Sequence, residues 1–172
     1  MTAAKPVSTS RITLSRIMSQ LDTNLHGNVH GGVVMKLVDD VGGAVAARHT
    51  GGRAVTAAMD EMVFVVPVHV GDLVYASAQV NWAGRTSVEI GVRVVAERWD
   101  EAGQQPRHVA SAYLVYVAID EHEKPRPVPP LETETAEDER RFREAEIRRQ
   151  NRLARRRAIL SARGCGSTAA AP

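Results

Sequence analysis

Residues 33–49, VVMKLVDDVGGAVAARH, constrain the fold more than any other stretch of the chain. At 100° per residue, Val33, Val34, Leu37, Val38, Val41, Ala44 and Val45 fall in one apolar stripe about 140° wide. The opposite face carries Met35, Asp39, Gly42, Gly43 and Ala46, where a solvated helix would carry Lys, Glu and Gln. Two glycines inside a helix cost about 1 kcal/mol each relative to Ala, and close approach of another backbone would justify that cost. The helix is therefore expected to be covered on both sides, by its own sheet and by a second element. A single small sheet does not supply both covers; a homodimer does. On this pattern alone Asp39 reads equally as a mid-helix carboxylate that reaches water past small neighbours. Asp40 lies near Lys36 and reads as its solvated partner.

The flanking segments place this helix in a two-layer α+β domain. Residues 10–20 alternate loosely as a first strand, and a polar turn from Asp22 to Asn28 leads into Gly31-Gly32. Thr50-Gly51-Gly52 stops the helix, with Arg48 and His49 in the last turn, where cations suit the helix dipole. The period then changes to two. Strands are expected over 53–66, 73–82, 86–98 and 108–119, separated by turns at Val70-Gly71-Asp72 and Ala83-Gly84-Arg85 and by a polar loop at 100–107. The last of these is apolar on both faces, so both should be covered. The domain organisation reads as a flexible N-terminus (1–9), the folded domain (10–122), a Pro-rich linker (123–135), a charged helix (136–163) and a disordered tail (164–172). Within the charged helix, Glu137/Arg141, Glu139/Arg143 and Glu144/Arg148 sit at the favourable i,i+4 spacing. Its apolar residues are sparse, so it should pack weakly or against a neighbouring subunit.

Composition excludes several classes of protein. The one cysteine, Cys165, allows neither an intramolecular disulfide nor a cysteine metal site. No His, Asp and Glu spacing points to a metal. No apolar run approaches the roughly 18 residues of a membrane span, and the N-terminus has no apolar core of a signal peptide. A cytoplasmic setting is expected. From Arg140 onward the chain carries 10 Arg against 2 Glu. Such a tail can bind anionic surfaces, but its paired acids favour a solvated helix, and no nucleic-acid role is expected. No serine lies in a nucleophile elbow.

Gly27-Asn28-Val29-His30-Gly31-Gly32, followed by Met35-Lys36-Leu37-Val38-Asp39 and Ala46-Ala47-Arg48-His49, closely resembles the hotdog-fold acyl-CoA thioesterases, and within them the cytosolic or brain-type acyl-CoA hydrolases. Val55-Thr56-Ala57-Ala58-Met59-Asp60, Val70-Gly71-Asp72 and Thr86-Ser87-Val88-Glu89 agree in order, and the resemblance spans roughly residues 12–160. It implies a curled antiparallel sheet around one central helix. It also implies edge-to-edge homodimers assembled into hexamers as trimers of dimers, and a role in fatty acid metabolism. Fused two-domain members take an Asn from one domain and an Asp from the other, matched here by Asn28 and Asp39. In a single-domain chain the two would come from different subunits.

The residues fit hydrolysis of an acyl-CoA thioester, with CoA as part of the substrate and no cofactor. Gly31 and Gly32 let a carbonyl approach the unpaired N–H groups of a helix N-terminus. Backbone N–H groups of Gly32 or Val33 would form an oxyanion hole, with His30 a structural or positioning group. Asp39 would act as general base or as nucleophile, and Asn28 would orient water or carbonyl. Thr56 would line the acyl or pantetheine channel. Arg85, Thr86 and Ser87 suit phosphate or pantetheine, or form an ordinary hairpin turn. His26 and His49 read as surface or capping residues. The competing reading is a hotdog domain that binds acyl-CoA without turnover, as a sensor.

Overall fold

The computed structural model describes residues 3–101 and 105–164. In chain order it comprises β1 (Lys5–Pro6), a 3-10 turn (Val7–Ser10), β2 (Ile12–Ile17), α1 (Gly31–Thr50), β3 (Ala54–Phe64), β4 (Asp72–Ala83), β5 (Ser87–Arg98), β6 (Arg107–Ala118), β7 (Leu131–Glu132) and α2 (Ala136–Ala162). The five long strands form one antiparallel sheet in the order β2-β4-β5-β6-β3. This is the hotdog arrangement, and the expected succession of strand, long helix and four strands holds. Val34, Val38, Val41 and Val45 of α1 are buried against Val74 and Val80 of β4, Ile90 of β5 and Leu114 of β6. Each such side chain contributes about 1.5–3 kcal/mol on burial.

The helix begins two residues earlier than its periodicity indicates, because His30 caps it. The Gly32 N–H donates to His30 Nδ1 at 3.0 Å. At the other end Gly51 takes φ 73° and donates its N–H to the Ala47 carbonyl at 2.9 Å. The buried arc runs from Leu37 round to Gly42 and Ala46, with Val33 and Ala44 only half-buried. It is turned by about 60° from the apolar stripe toward the small face. The cause is Tyr116 on β6, whose ring packs against Gly42. A Cβ there would stand 2.5 Å from the phenol oxygen. The chain's own sheet therefore accounts for Gly42, which the sequence pattern assigns to a second copy.

Both faces of β6 are covered, as expected. α2 lies over the far face of the sheet, held mainly by arginines. Arg11 of the 3-10 turn's C-cap pairs with Asp138 at 2.9 Å, Arg148 pairs with Glu89 of β5 at 2.7 Å, and Arg152 pairs with Asp60 of β3. The Arg148 guanidinium also stacks 3.7 Å above the Tyr113 ring. Arg148 thus serves Glu89 rather than Glu144, and Glu144 pairs with Arg140 instead. The other two helical pairs form as read, Glu137–Arg141 at 3.0 Å and Glu139–Arg143 at 3.9 Å.

Two segments read as loose are tied down. Lys5–Pro6 pairs in parallel with Leu131–Glu132, and Val7 is fully buried. The Pro-rich segment closes the end of the domain: Val128 is buried, and its N–H donates to Arg85 O at 3.0 Å. His49 is buried there too, with Nε2 3.1 Å from Pro129 O, rather than lying at the surface. Burial holds its imidazole below the usual histidine pKa. Residues 165–172 of the expected tail, with Cys165, lie outside the described residues.

Candidate active site

Asp39 sits two turns into α1, on the flank left uncovered by the sheet, and is exposed. Its carboxylate is not free to swing. Thr56 Oγ1 on β3 donates to Oδ1 at 2.7 Å, and Tyr116 Oη on β6 donates to the same oxygen at 3.0 Å. The Asp39 backbone carbonyl, also 3.0 Å from Oη, shares that single phenol proton. Thr56 and Tyr116 are register partners in the β3–β6 ladder, so one row of the sheet supplies both donors. The register slips between Thr56 and Ala58, and such a bulge re-aims the side chains beside it. Burial, and then the neighbouring Asp39, push the Tyr116 phenol far above its ordinary pKa, so it stays a donor. Sequence reasoning finds Asp39 and Thr56 but misses Tyr116, which reads as core in the apolar run HVASAYLVYVAI.

The glycine-rich segment makes a tight loop. Asn24 Oδ1 accepts the N–H of His26 at 2.8 Å and of Asn28 at 3.3 Å, and Asn24 N–H donates to Asn28 O at 2.7 Å. Asp22 anchors the loop: its backbone O accepts His30 N–H at 2.7 Å. Hydrogen bonds from Ser19, outweighing burial and helped by Arg16, hold its carboxyl below the usual range. Among the described residues neither the Asn24 nor the Asn28 side-chain NH2 has a partner. Two expected oxyanion donors are occupied. The Gly32 N–H goes to His30 Nδ1 and the Val33 N–H to His30 O at 2.9 Å. Among the described residues the Gly31 N–H has no partner. Gly31 lines an apolar groove of about 250 Å³ with Val29, Val34 and Phe64–Val68.

Helix geometry separates these groups. Gly32 and Asp39 are seven residues apart, so about 10 Å along the axis. One chain does not bring the helix N-terminus and the carboxylate onto one carbonyl. β3, meanwhile, is an 11-residue edge strand with Val55, Met59, Val63 and Phe64 exposed. A long, uncovered apolar edge is a template for strand pairing. The Arg85–Ser87 turn lies at the other end of α1. Arg85 O and Thr86 O accept the N–H groups of Val128 and Ala118, so the turn's backbone is structural, while the Arg85 side chain is exposed.

A helix wrapped by a five-stranded antiparallel sheet defines the hotdog fold, and here a clamped carboxylate lies beside its open strand edge. The comparisons agree. The thioesterase superfamily pattern matches residues 26–101. The cytosolic acyl coenzyme A thioester hydrolase of Mus musculus is 39% identical over 142 residues, 83% of this chain. The chain spans 37% of that relative's length. An acyl-CoA hydrolase from Staphylococcus aureus, solved with butyryl-CoA and CoA, superposes with a TM-score of 0.85 at 30% identity, covering 92% of this chain and 96% of that one. A hexameric acyl-CoA thioesterase superposes with a TM-score of 0.85 at 33% identity, over 90% of this chain and 97% of that one. The chain belongs to the thioesterase superfamily, in the family of acyl-CoA thioester hydrolases. The Staphylococcus enzyme has also been solved with alanine in place of single Asn, Asp and Thr residues. The Asn and Asp stand 15 positions apart and the Asp and Thr 17.

Proposed function

We propose that this chain hydrolyses fatty acyl-CoA thioesters to free fatty acid and CoA, at sites shared between two subunits. The observation that carries the reading is the Asp39 carboxylate, fixed by Thr56 and Tyr116 at the margin of an uncovered strand edge. Pairing of β3 with β3 of a second copy would cover Val55, Met59, Val63 and Phe64. It would also carry the glycine loop of one subunit to Asp39 of the other. The hexameric relative supports dimers assembled further into hexamers.

Sulfur donates poorly into the carbonyl, so the thioester needs only polarisation and a delivered water. The Gly31 N–H would take the developing oxyanion. Asp39 would accept a proton as water attacks, or attack the carbonyl itself; water then cleaves the acyl-enzyme. In the first route the C–S bond breaks and the proton taken from water passes to the CoA sulfur; in the second the CoA thiolate leaves as the anhydride forms, and the water that cleaves the anhydride supplies its proton. Asn24 is preferred to Asn28 as the companion amide. Asn24 precedes Asp39 by 15 positions and Thr56 follows it by 17, the spacings of the residues replaced in the Staphylococcus enzyme. Asn24 Oδ1 is held by two loop N–H groups, which leaves its NH2 without a partner among the described residues. The apolar groove at Phe64 suits the acyl chain, and Arg85 suits a CoA phosphate. The name of the mouse relative supports a cytosolic setting.

The test is free-thiol release from acyl-CoAs of several chain lengths. Asp39→Ala and Asn24→Ala should each lower kcat by at least 100-fold, and Asn28→Ala by far less. Wild-type activity in Asp39→Ala would overturn the site. Tight acyl-CoA binding without thiol release from wild type would favour the non-catalytic sensor.

A further inference from the structure

We infer that Tyr116 is a positioning residue for hydrolysis, which with Thr56 saturates Oδ1 of Asp39 and leaves Oδ2 as the single oxygen that meets water or thioester. This rests on Asp39 being the reacting carboxylate, as proposed above. A carboxylate has two equivalent oxygens and rotates freely unless something distinguishes them. Here both donors converge on one, Thr56 Oγ1 at 2.7 Å and Tyr116 Oη at 3.0 Å. Among the described residues Oδ2 has no donor. The carboxylate is locked in rotation, and its unpartnered oxygen is the more basic and more nucleophilic of the two.

The surroundings are built for this contact. Tyr116 is 1% exposed, so its ring is held by packing and does not compete with solvent for the phenol. Its one proton is shared between Oδ1 and the Asp39 backbone carbonyl, both 3.0 Å away, which ties the phenol to the helix turn as well as to the side chain. Gly42, three residues on, is what lets the phenol come this close: a Cβ there would stand 2.5 Å from Oη and 3.1 Å from two ring carbons. The glycine and the tyrosine are two halves of one device. Thr56 enters from the next strand on the same row of the sheet, beside a register slip. The three side chains thus come from three elements, and the helix's position against β3 and β6 sets the carboxylate's orientation.

The experiment measures kcat and KM for thiol release from lauroyl-CoA, per folded protein. The variants are Tyr116→Phe, Thr56→Val, Gly42→Ala, Gly42→Ala with Tyr116→Phe, Asp39→Ala and, as a control, Tyr75→Phe. Tyr75 also gives a phenol hydrogen bond to a carboxylate, Glu97 at 2.7 Å, but away from Asp39. Tyr116→Phe keeps the ring and loses only the hydroxyl, so it should fold. It should lower kcat on the order of 10- to 100-fold, with KM within about 2-fold. Gly42→Ala should lower kcat similarly, and should add little in the Tyr116→Phe background because both act on one contact. Tyr75→Phe should match wild type. Wild-type kcat in Tyr116→Phe, with Asp39→Ala inactive, would overturn the positioning role while leaving the proposed site intact. A rise confined to KM, with kcat unchanged, would overturn it as well. Full activity in Asp39→Ala would instead remove the reading on which the inference rests.

Discussion

Arg148→Ala should be the most damaging surface-directed substitution in the chain. Glu89 is 1% exposed beneath α2, on the face of the sheet away from α1. Its Oε1 accepts from Arg148 Nε at 3.1 Å and Nη2 at 2.7 Å, and weakly from Asn81 Nδ2 at 3.4 Å. Oε2 has no partner among the described residues. The Arg148 side chain is 17% exposed, so solvent screens the pair only slightly. Removing the guanidinium leaves a buried carboxylate without its cation, which costs about 3–5 kcal/mol. Loss of the stack on Tyr113 adds about 0.5–2 kcal/mol. Small domains are stable by only about 5–15 kcal/mol, so the variant should be close to the limit of folding. Replacing both partners, Glu89→Gln with Arg148→Ala, should recover a large part of the loss, because no charge is left buried. The assay is urea unfolding at one fixed protein concentration, with the single and double variants closing a cycle. A cost under about 1 kcal/mol for Arg148→Ala, the size of an exposed ion pair, would show that Glu89 does not depend on Arg148 as a buried partner.

Three further outcomes follow from the same structure. His49 is buried neutral, with its pKa below the unfolded value near 6.5. The unfolded chain then binds more protons there, so stability should fall as pH drops through about 6.5, by up to 1.4 kcal/mol per unit. Unfolding from pH 8 to 5.5 should show this slope in wild type and a flatter one in His49→Met. Gly51→Ala should lose about 1–2 kcal/mol, since φ 73° at the α1 C-cap suits glycine alone; thermal melts check it. Val63→Lys puts a charge on the exposed β3 edge. It should shift the protein to smaller species in size exclusion and abolish thiol release, although Asp39, Thr56 and Tyr116 are untouched.

Most of the fold is legible in sequence because it rests on local periodicity. The α1 stripe and the alternation of Val88, Ile90, Val92 and Val94 are written in consecutive residues, and the observed elements fall within a few positions of them. What is misread depends on partners far along the chain. Arg148 has a plausible helical partner in Glu144, yet Glu89, 59 residues away, takes it. Residues 123–135 look like a linker because Pro and acids dominate, but contacts of Val128 with Arg85, Pro129 with His49 and Leu131–Glu132 with Lys5–Pro6 make them a strap. In the site, Asp39 stands out because a carboxylate on a face of glycine and alanine needs a reason. Tyr116 does not, because an aromatic in an apolar strand is ordinarily core, and its hydroxyl meets Asp39 only once β6 is placed against α1. Gly42 is correctly flagged as a close approach but assigned to the wrong neighbour.

Each proposed site takes its amide from one subunit and its carboxylate from the other. Mixing inactive Asp39→Ala with inactive Asn24→Ala, after verified subunit exchange, tests it. Random exchange puts half the subunits in mixed dimers with one intact site in two, so thiol release should return to about a quarter of the wild-type rate. No recovery in a fully exchanged mixture would contradict a site shared between subunits.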